Sequence, residues 1–135
     1  MNYPIAEIEG IAATNAKKLA KAGVTNTGGL LKAGATPKGR KALSEASKCS
    51  EKQILKWCNL ADLMRVSGIG KQYSELLEAS GIDTVKELRN RNAANTAAKM
   101  KAVNAKKNLA KTSPSESMVA RWVASAKTMK PVMKY

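Results

Sequence analysis

Residues 59–77, NLADLMRVSGIGKQYSELL, contain a turn whose chemistry suits an anion. Val66-Ser67-Gly68-Ile69-Gly70 has the pattern apolar, x, Gly, apolar, Gly, and Lys71 follows directly. Glycine is needed where φ is positive or where another group comes close. The residues after the turn, with Tyr73, Leu76 and Leu77 apolar, predict a helix. A helix starting there points free N–H groups and its positive dipole end outward, a geometry that holds phosphate. A second feature is the run from Leu88 to Ser115, which contains no acidic and no aromatic residue. It carries Arg89, Arg91, Lys99, Lys101, Lys106, Lys107 and Lys111. Without aromatics it is poorly suited to stacking on single-strand bases. Lysine and arginine alone favour the duplex backbone, with release of counterions. An ordinary solvated helix face mixes signs, and this one does not. Lys38, Arg40, Lys41 and Lys48 form a smaller basic set upstream.

Other chemistries find little to work with. The chain has no His, the commonest general base and metal ligand. It has no paired-carboxylate motif and no Gly-rich phosphate loop followed by Lys-Ser or Lys-Thr. No catalytic residue, metal ligand or cofactor is therefore expected, and the protein is read as a non-enzyme. Cys49 and Cys58 lie nine residues apart on or beside one helix. That separation is about 13 Å along a helix, beyond the ~7 Å that a disulfide tolerates. Both are expected to be reduced thiols, and two cysteines without histidine do not make a zinc site. With 24 Lys+Arg against 10 Asp+Glu the formal charge is +14, which favours polyanions: DNA, RNA or an anionic membrane. No stretch approaches the ~20 apolar residues of a membrane span. The start MNYPIAEIEG has neither a basic opening nor a long apolar run, so no signal peptide is expected.

The elements that position these residues repeat. Shifted by 58 residues, IEGIAATNAKKLAKAGVTNTGGLL (8–31) falls on VSGIGKQYSELLEASGIDTVKELR (66–89). Gly10 meets Gly68, Leu19 meets Leu77, Gly23 meets Gly81 and Leu30 meets Leu88. After a seven-residue insertion, SEKQILKW (50–57) falls on SESMVARW (115–122), which pairs Trp57 with Trp122 on apolar helix faces. The expected architecture is all-α: two pseudo-repeated helical units, 1–65 and 66–135, packed as one compact body and joined by a central helix over about 51–65. In the first unit, a helix over Ala13–Ala22 ends at Gly23. Thr25 or Thr27 caps the next, Thr36-Pro37 opens a third, and Ser50 with Gln53 forms a capping box. In the second unit, Lys71–Ser80 ends at Gly81, Asp83 caps Thr84–Arg91, Asn92 caps a helix to about Lys107, and Ser115 precedes Glu116–Lys127. The tail TMKPVMKY is expected to be extended and partly mobile.

The Val66–Gly70 stretch resembles the helix-hairpin-helix motif of DNA-binding proteins. More broadly, IEGI (8–11), AG (22–23), AGATPKGRKAL (33–43), SEKQILKW (50–57), ADLMRVSGIG (61–70) and SGIDTVKELRNRN (80–92) resemble a bacterial-type family of tandem helix-hairpin-helix proteins defined only as a domain of unknown function. The resemblance implies a helix-hairpin-helix-like motif in each unit, with backbone N–H groups offered to duplex phosphates irrespective of sequence. In the second hairpin these contacts fall on Ser67, Gly68, Ile69, Gly70 and Lys71. In the first, weaker hairpin they fall on Gly10, Ile11, Ala12 and Ala13, with Lys17 and Lys18 on the following helix. That hairpin departs from the pattern: Ala12 replaces the second glycine, and Glu9 sets a carboxylate where phosphate would approach. Glu75 and Glu78 sit on the helix after the second hairpin. Glycosylases with this motif need a catalytic Asp after the hairpin; in GIDTVKELRN, Asp83 reads as a helix cap, so the resemblance implies no enzyme.

The expected function is double-stranded DNA binding through phosphate contacts, with compaction or packaging of DNA, in the cytoplasm at the nucleoid or inside a virion. Two alternatives stand beside it. One is a protein-interaction or self-assembly module using an exposed hairpin residue such as Ile69. The other is association with RNA. A membrane is not an expected partner.

Overall fold

The structure, a computed structural model, describes residues 2–135; Met1, where the first unit begins, lies outside them. Eight α-helices follow one another: α1 (Ala13–Lys21), α2 (Thr27–Gly34), α3 (Pro37–Ser47), α4 (Glu51–Leu63), α5 (Lys71–Ala79), α6 (Val85–Leu88), α7 (Ala93–Lys107) and α8 (Glu116–Thr128). A 3-10 turn, Ile5–Glu7, precedes them. The described residues contain no strand, only an isolated bridge between Pro4 and Asn26.

Local chemistry sets most of these boundaries. Thr36 accepts from the Gly39 N–H and Pro37 opens α3, where its missing donor is harmless. Ser50 and Gln53 close a reciprocal capping box on α4. Asn92 and Ser115 cap α7 and α8. Two expected caps move by one residue. Asn26, not Thr25 or Thr27, accepts from the Gly29 N–H at the start of α2. Thr84, not Asp83, caps α6, which is only four residues long. A loop with several hydroxyl and carboxamide side chains offers several candidate caps, and the backbone path selects among them.

The geometries of the two halves correspond at the positions that the sequence alignment pairs. Gly10 and Gly68 have φ of 92° and 93°, and Gly23 and Gly81 have 88° and 90°. Ile11 N–H donates to Ile8 C=O at 3.1 Å, as Ile69 N–H does to Val66 C=O. Each bond closes a tight turn whose third residue must take positive φ. A tryptophan packs against each such glycine. A Cβ added to Gly10 would stand 3.3 Å from Trp57 Nε1, and one added to Gly68 would stand 3.1 Å from Trp122 Nε1. Both indoles are buried, as their helix faces predict. Gly70, in contrast, has φ of −108° and open space where a Cβ would lie. Ala12 in the first hairpin is therefore no geometric defect.

Apolar side chains gather in two clusters that meet at the end of α4. Ile54, Trp57, Cys58, Leu60 and Ala61 of α4 join the first, with Leu19, Leu30 and Leu43. Leu63 joins the second, with Leu77, Leu88, Met100 and Trp122. Burial pushes the Cys58 thiol up to about 12, so it stays protonated. Both cysteines are free. Between the clusters sits a buried carboxylate. Asp62 is 1% exposed. It pairs with Arg65 at 2.9 Å and accepts from the Val85 N–H at the start of α6, also at 2.9 Å. Arg65 in turn donates to Lys130 C=O.

The C-terminal tail is extended, as expected, but it is held rather than loose. Lys134 N–H donates to Ala35 C=O at 2.7 Å, Met133 is buried in the first cluster, and the Tyr135 hydroxyl reaches Asn59. Arg40, read from the sequence as part of a surface basic set, is 6% exposed. Its guanidinium donates to Gly34 C=O and Lys134 C=O, each at 2.9 Å, and lies 5.6 Å from the centre of the Tyr135 ring. The last carbonyls of α2 need partners, and a cation at a helix C-terminus is favourable. Arg40 and the tail together supply both.

Two outcomes follow for chemical denaturation. Gly68→Ala forces an L-residue to positive φ and crowds Trp122, and should destabilise the fold by about 1–3 kcal/mol, while Gly70→Ala stays within about 0.5 kcal/mol of the parent. Asp62→Ala should cost about 3 kcal/mol or more, because it breaks a buried charge pair; Asp62→Asn, which keeps a carbonyl for the Val85 N–H, should cost less.

Candidate nucleic-acid interface

Each hairpin exposes backbone and hides its apolar side chain. Ser67, Gly68 and Lys71 are exposed and Gly70 is half-buried. Ile69 is fully buried, and its N–H is occupied by the turn bond. Ile11 is buried with its N–H used the same way. Neither isoleucine offers a donor to phosphate, and Ile69 is not an exposed hairpin residue. Gly10, Ala12, Ala13 and Lys17 are exposed, and Lys18 is half-buried.

The helices that follow the hairpins differ from the other six in one respect. Asn26, Thr36, Ser50, Thr84, Asn92 and Ser115 supply side-chain caps to α2, α3, α4, α6, α7 and α8. Ala12 before α1 and Gly70 before α5 supply none, and neither helix has an acidic residue in its first turn. The first-turn N–H groups of a helix have no partner within the helix. At α1 and α5 they remain available to an anion.

The charges around the two openings are not equivalent. Lys71 lies 3.7 Å from Glu9, so the acid of the first hairpin sits beside the cation of the second. Both side chains are nearly half exposed, and such a pair is weak enough to rearrange when phosphate competes. Burial, then Glu9, holds the Glu75 carboxyl above its ordinary 4.5. Burial raises Glu78 as well, against the pull of Lys56, which stands 3.6 Å away. On its other side the second hairpin borders a cavity of about 350 Å³ lined by Ser67, Gly68, Met118, Arg121, Trp122 and Ser125. Arg121 is exposed there, and no carboxylate lines the cavity. Sequence reasoning passed over Arg121. The available signal was its place directly before Trp122, whose partner is the hairpin glycine.

The downstream cations divide into two groups. Arg89 donates to Lys127 C=O at 2.9 Å, and Arg91 donates to Gly81 C=O and stands 3.7 Å from Glu87. These arginines help hold helices together. Lys99, Lys101, Lys106, Lys107 and Lys111 are exposed, and none has a carboxylate within 4 Å among the described residues. Four of them belong to α7, where only Thr96 and Met100 are buried. Lys111 is brought to the second hairpin: its N–H donates to Gln72 Oε1, and the Tyr73 hydroxyl donates to Thr112 C=O. The loop after α7 thus packs on the first turn of α5. Among the described residues no cluster of side chains could hold a metal, and no helix is long and apolar enough to cross a membrane.

The raised carboxyls set a pH dependence. A carboxyl whose folded pKa exceeds its unfolded value favours folding when protonated, and that advantage is lost as pH rises through the folded value. At neutral pH Glu75 therefore opposes folding. Thermal unfolding of Glu75→Gln should show a higher midpoint than the parent at pH 7, and the difference should close as the pH falls to 4.5 and below.

No curated protein and no solved structure matches this chain. A family model described as "Domain of unknown function (DUF4332)" matches residues 9–129, from the first hairpin through the end of α8. With nearly its whole length matched, the chain belongs to the DUF4332 family.

Proposed function

We propose that this protein is a non-enzymatic binder of double-stranded DNA that grips phosphates without sequence preference and serves to compact or package DNA, acting at a nucleoid or a packaged genome. The observation that carries the proposal is the pattern of caps. Six helices are closed by their own side chains, and the two left open are those that follow the glycine hairpins. Phosphate at such an opening receives backbone N–H donors and the helix dipole, and it carries no sequence information. Arg121 flanks the second opening, Lys111 is packed beside the first turn of α5, and the α7 lysines have no carboxylate within 4 Å among the described residues. The second opening is the stronger of the two, because Lys71 offsets Glu9 there and Arg121 borders an acid-free cavity on its other side. The scaffold reading has less support: both hairpin isoleucines are buried, and Tyr135 is the one large hydrophobic side chain exposed among the described residues.

Fluorescence anisotropy with two unrelated duplexes tests the proposal. Both should bind alike, with roughly a 10³-fold or greater loss of affinity between about 50 and about 200 mM salt if six or more phosphates are engaged. Replacing Lys106 and Lys107 with Ala should flatten the salt dependence by roughly 0.9 in log–log slope for each phosphate no longer neutralised. Ser67→Asp, which puts a carboxylate at the hairpin tip, should weaken binding with the fold intact. Glu75→Gln should strengthen it. No binding at about 50 mM salt rejects the proposal, and tighter binding of a matched RNA duplex in competition moves it to RNA.

A further inference from the structure

A second cavity, of about 270 Å³, lies where the end of α5 and the segment after α6 meet the start of α7. We propose that it binds a single phosphate group, independently of the hairpins. Asn90, Arg91, Asn92, Asn95, Thr96 and Lys99 line it, and no carboxylate does. Its volume falls just short of the roughly 300 Å³ at which clefts for larger organic ligands begin.

The lining consists mostly of donors. Lys99 has no carboxylate within 4 Å, and its Nζ lies 3.5 Å from where a Cβ on Gly81 would stand. The Arg91 guanidinium uses one nitrogen on Gly81 C=O and a loose, half-exposed pairing with Glu87, which leaves further N–H donors. Asn92 spends its Oδ1 on the Asn95 N–H, so its Nδ2 is directed elsewhere and remains a donor. Asn90 commits its Nδ2 only to Lys86 C=O. Thr96 is 6% exposed and is among the residues that line the cavity, where its hydroxyl adds a neutral donor. The start of α7 is closed by the Asn92 cap, so the side chains and not its backbone would hold the anion, and no acid in its first turn opposes one.

Two cations, carboxamide donors and a threonine hydroxyl around a small space suit a tetrahedral oxyanion that accepts from several directions. A phosphate monoester carries more charge than a backbone diester and fits better. It can come from the terminal phosphate of a nucleic-acid strand or from a free nucleoside monophosphate. The site shares no residue with either hairpin, so loss of duplex binding at the hairpins would leave it standing.

The test is a titration of the whole ¹⁵N-labelled chain with inorganic phosphate, against chloride at matched ionic strength, followed by amide shifts. Phosphate should give saturable shifts at Gly81 and at Asn92 through Thr96, with the hairpin amides unmoved. Lys99→Gln and Arg91→Gln should each weaken binding roughly tenfold, as expected when one strong charge-assisted hydrogen bond is removed. Thr96→Val, close in shape, should weaken it less and leave the remaining spectrum in place. A nucleoside monophosphate that competes as well as a 5′-phosphorylated oligonucleotide assigns the site to free esters. A clear preference for the 5′-phosphorylated strand over its unphosphorylated twin assigns it to strand ends. Shifts that chloride reproduces, that fail to saturate, or that spread evenly over the lysines of α7 overturn the proposal.

Discussion

A carboxylate held away from water at Asp62 is the constraint on which the two halves depend. It lies on the one helix that contributes to both apolar clusters, with Ala61 on one side and Leu63 on the other. A buried charge is tolerated only when it is paired and hydrogen-bonded. Asp62 meets that condition by reaching across to the first N–H of α6 and by pairing with Arg65, which is itself tied to Lys130. One side chain thereby sets where α6 begins, how α4 ends and where the tail leaves α8. Four residues of helix would be marginal alone; α6 exists because Thr84 and Asp62 satisfy its start and because Val85 and Leu88 are buried.

Shared turns have not kept the halves alike in charge. Lys56 and Arg121 occupy equivalent places before their tryptophans, but Lys56 faces Glu78 and Arg121 borders an acid-free cavity. The third helices differ more. α3 has eleven residues and buries Arg40, Leu43 and Ser47, whereas α7 has fifteen and buries two. Its extra length leaves lysines facing water with no acid nearby. The carboxylates Glu9, Glu75 and Glu78 lie instead around the first turns of α5 and the face of α4. The molecule is therefore electrically lopsided, and a large polyanion would approach it in a preferred orientation.

How much could be read from the sequence depended on the range of the interaction. The Thr36-Pro37 start, the Ser50–Gln53 box and the caps at Asn92 and Ser115 involve residues three apart, and all were legible. The burial of Trp57 and Trp122 followed from helical periodicity. Arg40 looked like its neighbouring lysines because its partner Lys134 lies 94 residues away. Asp62 escaped notice for the same reason, with Val85 lying 23 residues on. The basic run of α7 could be read as a composition; the division between Arg89 and Arg91, bound to backbone, and the unpaired lysines could not. Ile69 shows a further limit. The pattern marked it as part of the hairpin, but only the packed turn shows that its side chain points to the core and its N–H is already used.

The tail that returns from α8 gives the chain a temporal order as well as a spatial one. During synthesis the helices of residues 13–63 emerge first, and domains generally fold as they appear. This half, however, lacks Met133 in its apolar cluster and the Lys134 carbonyl for the buried Arg40 guanidinium until the ribosome has also made α5 to α8. Its folding is closed by residues translated after the whole of the other half. Cutting the gene after α4 would take from the first apolar cluster a residue it buries and from Arg40 a carbonyl it uses.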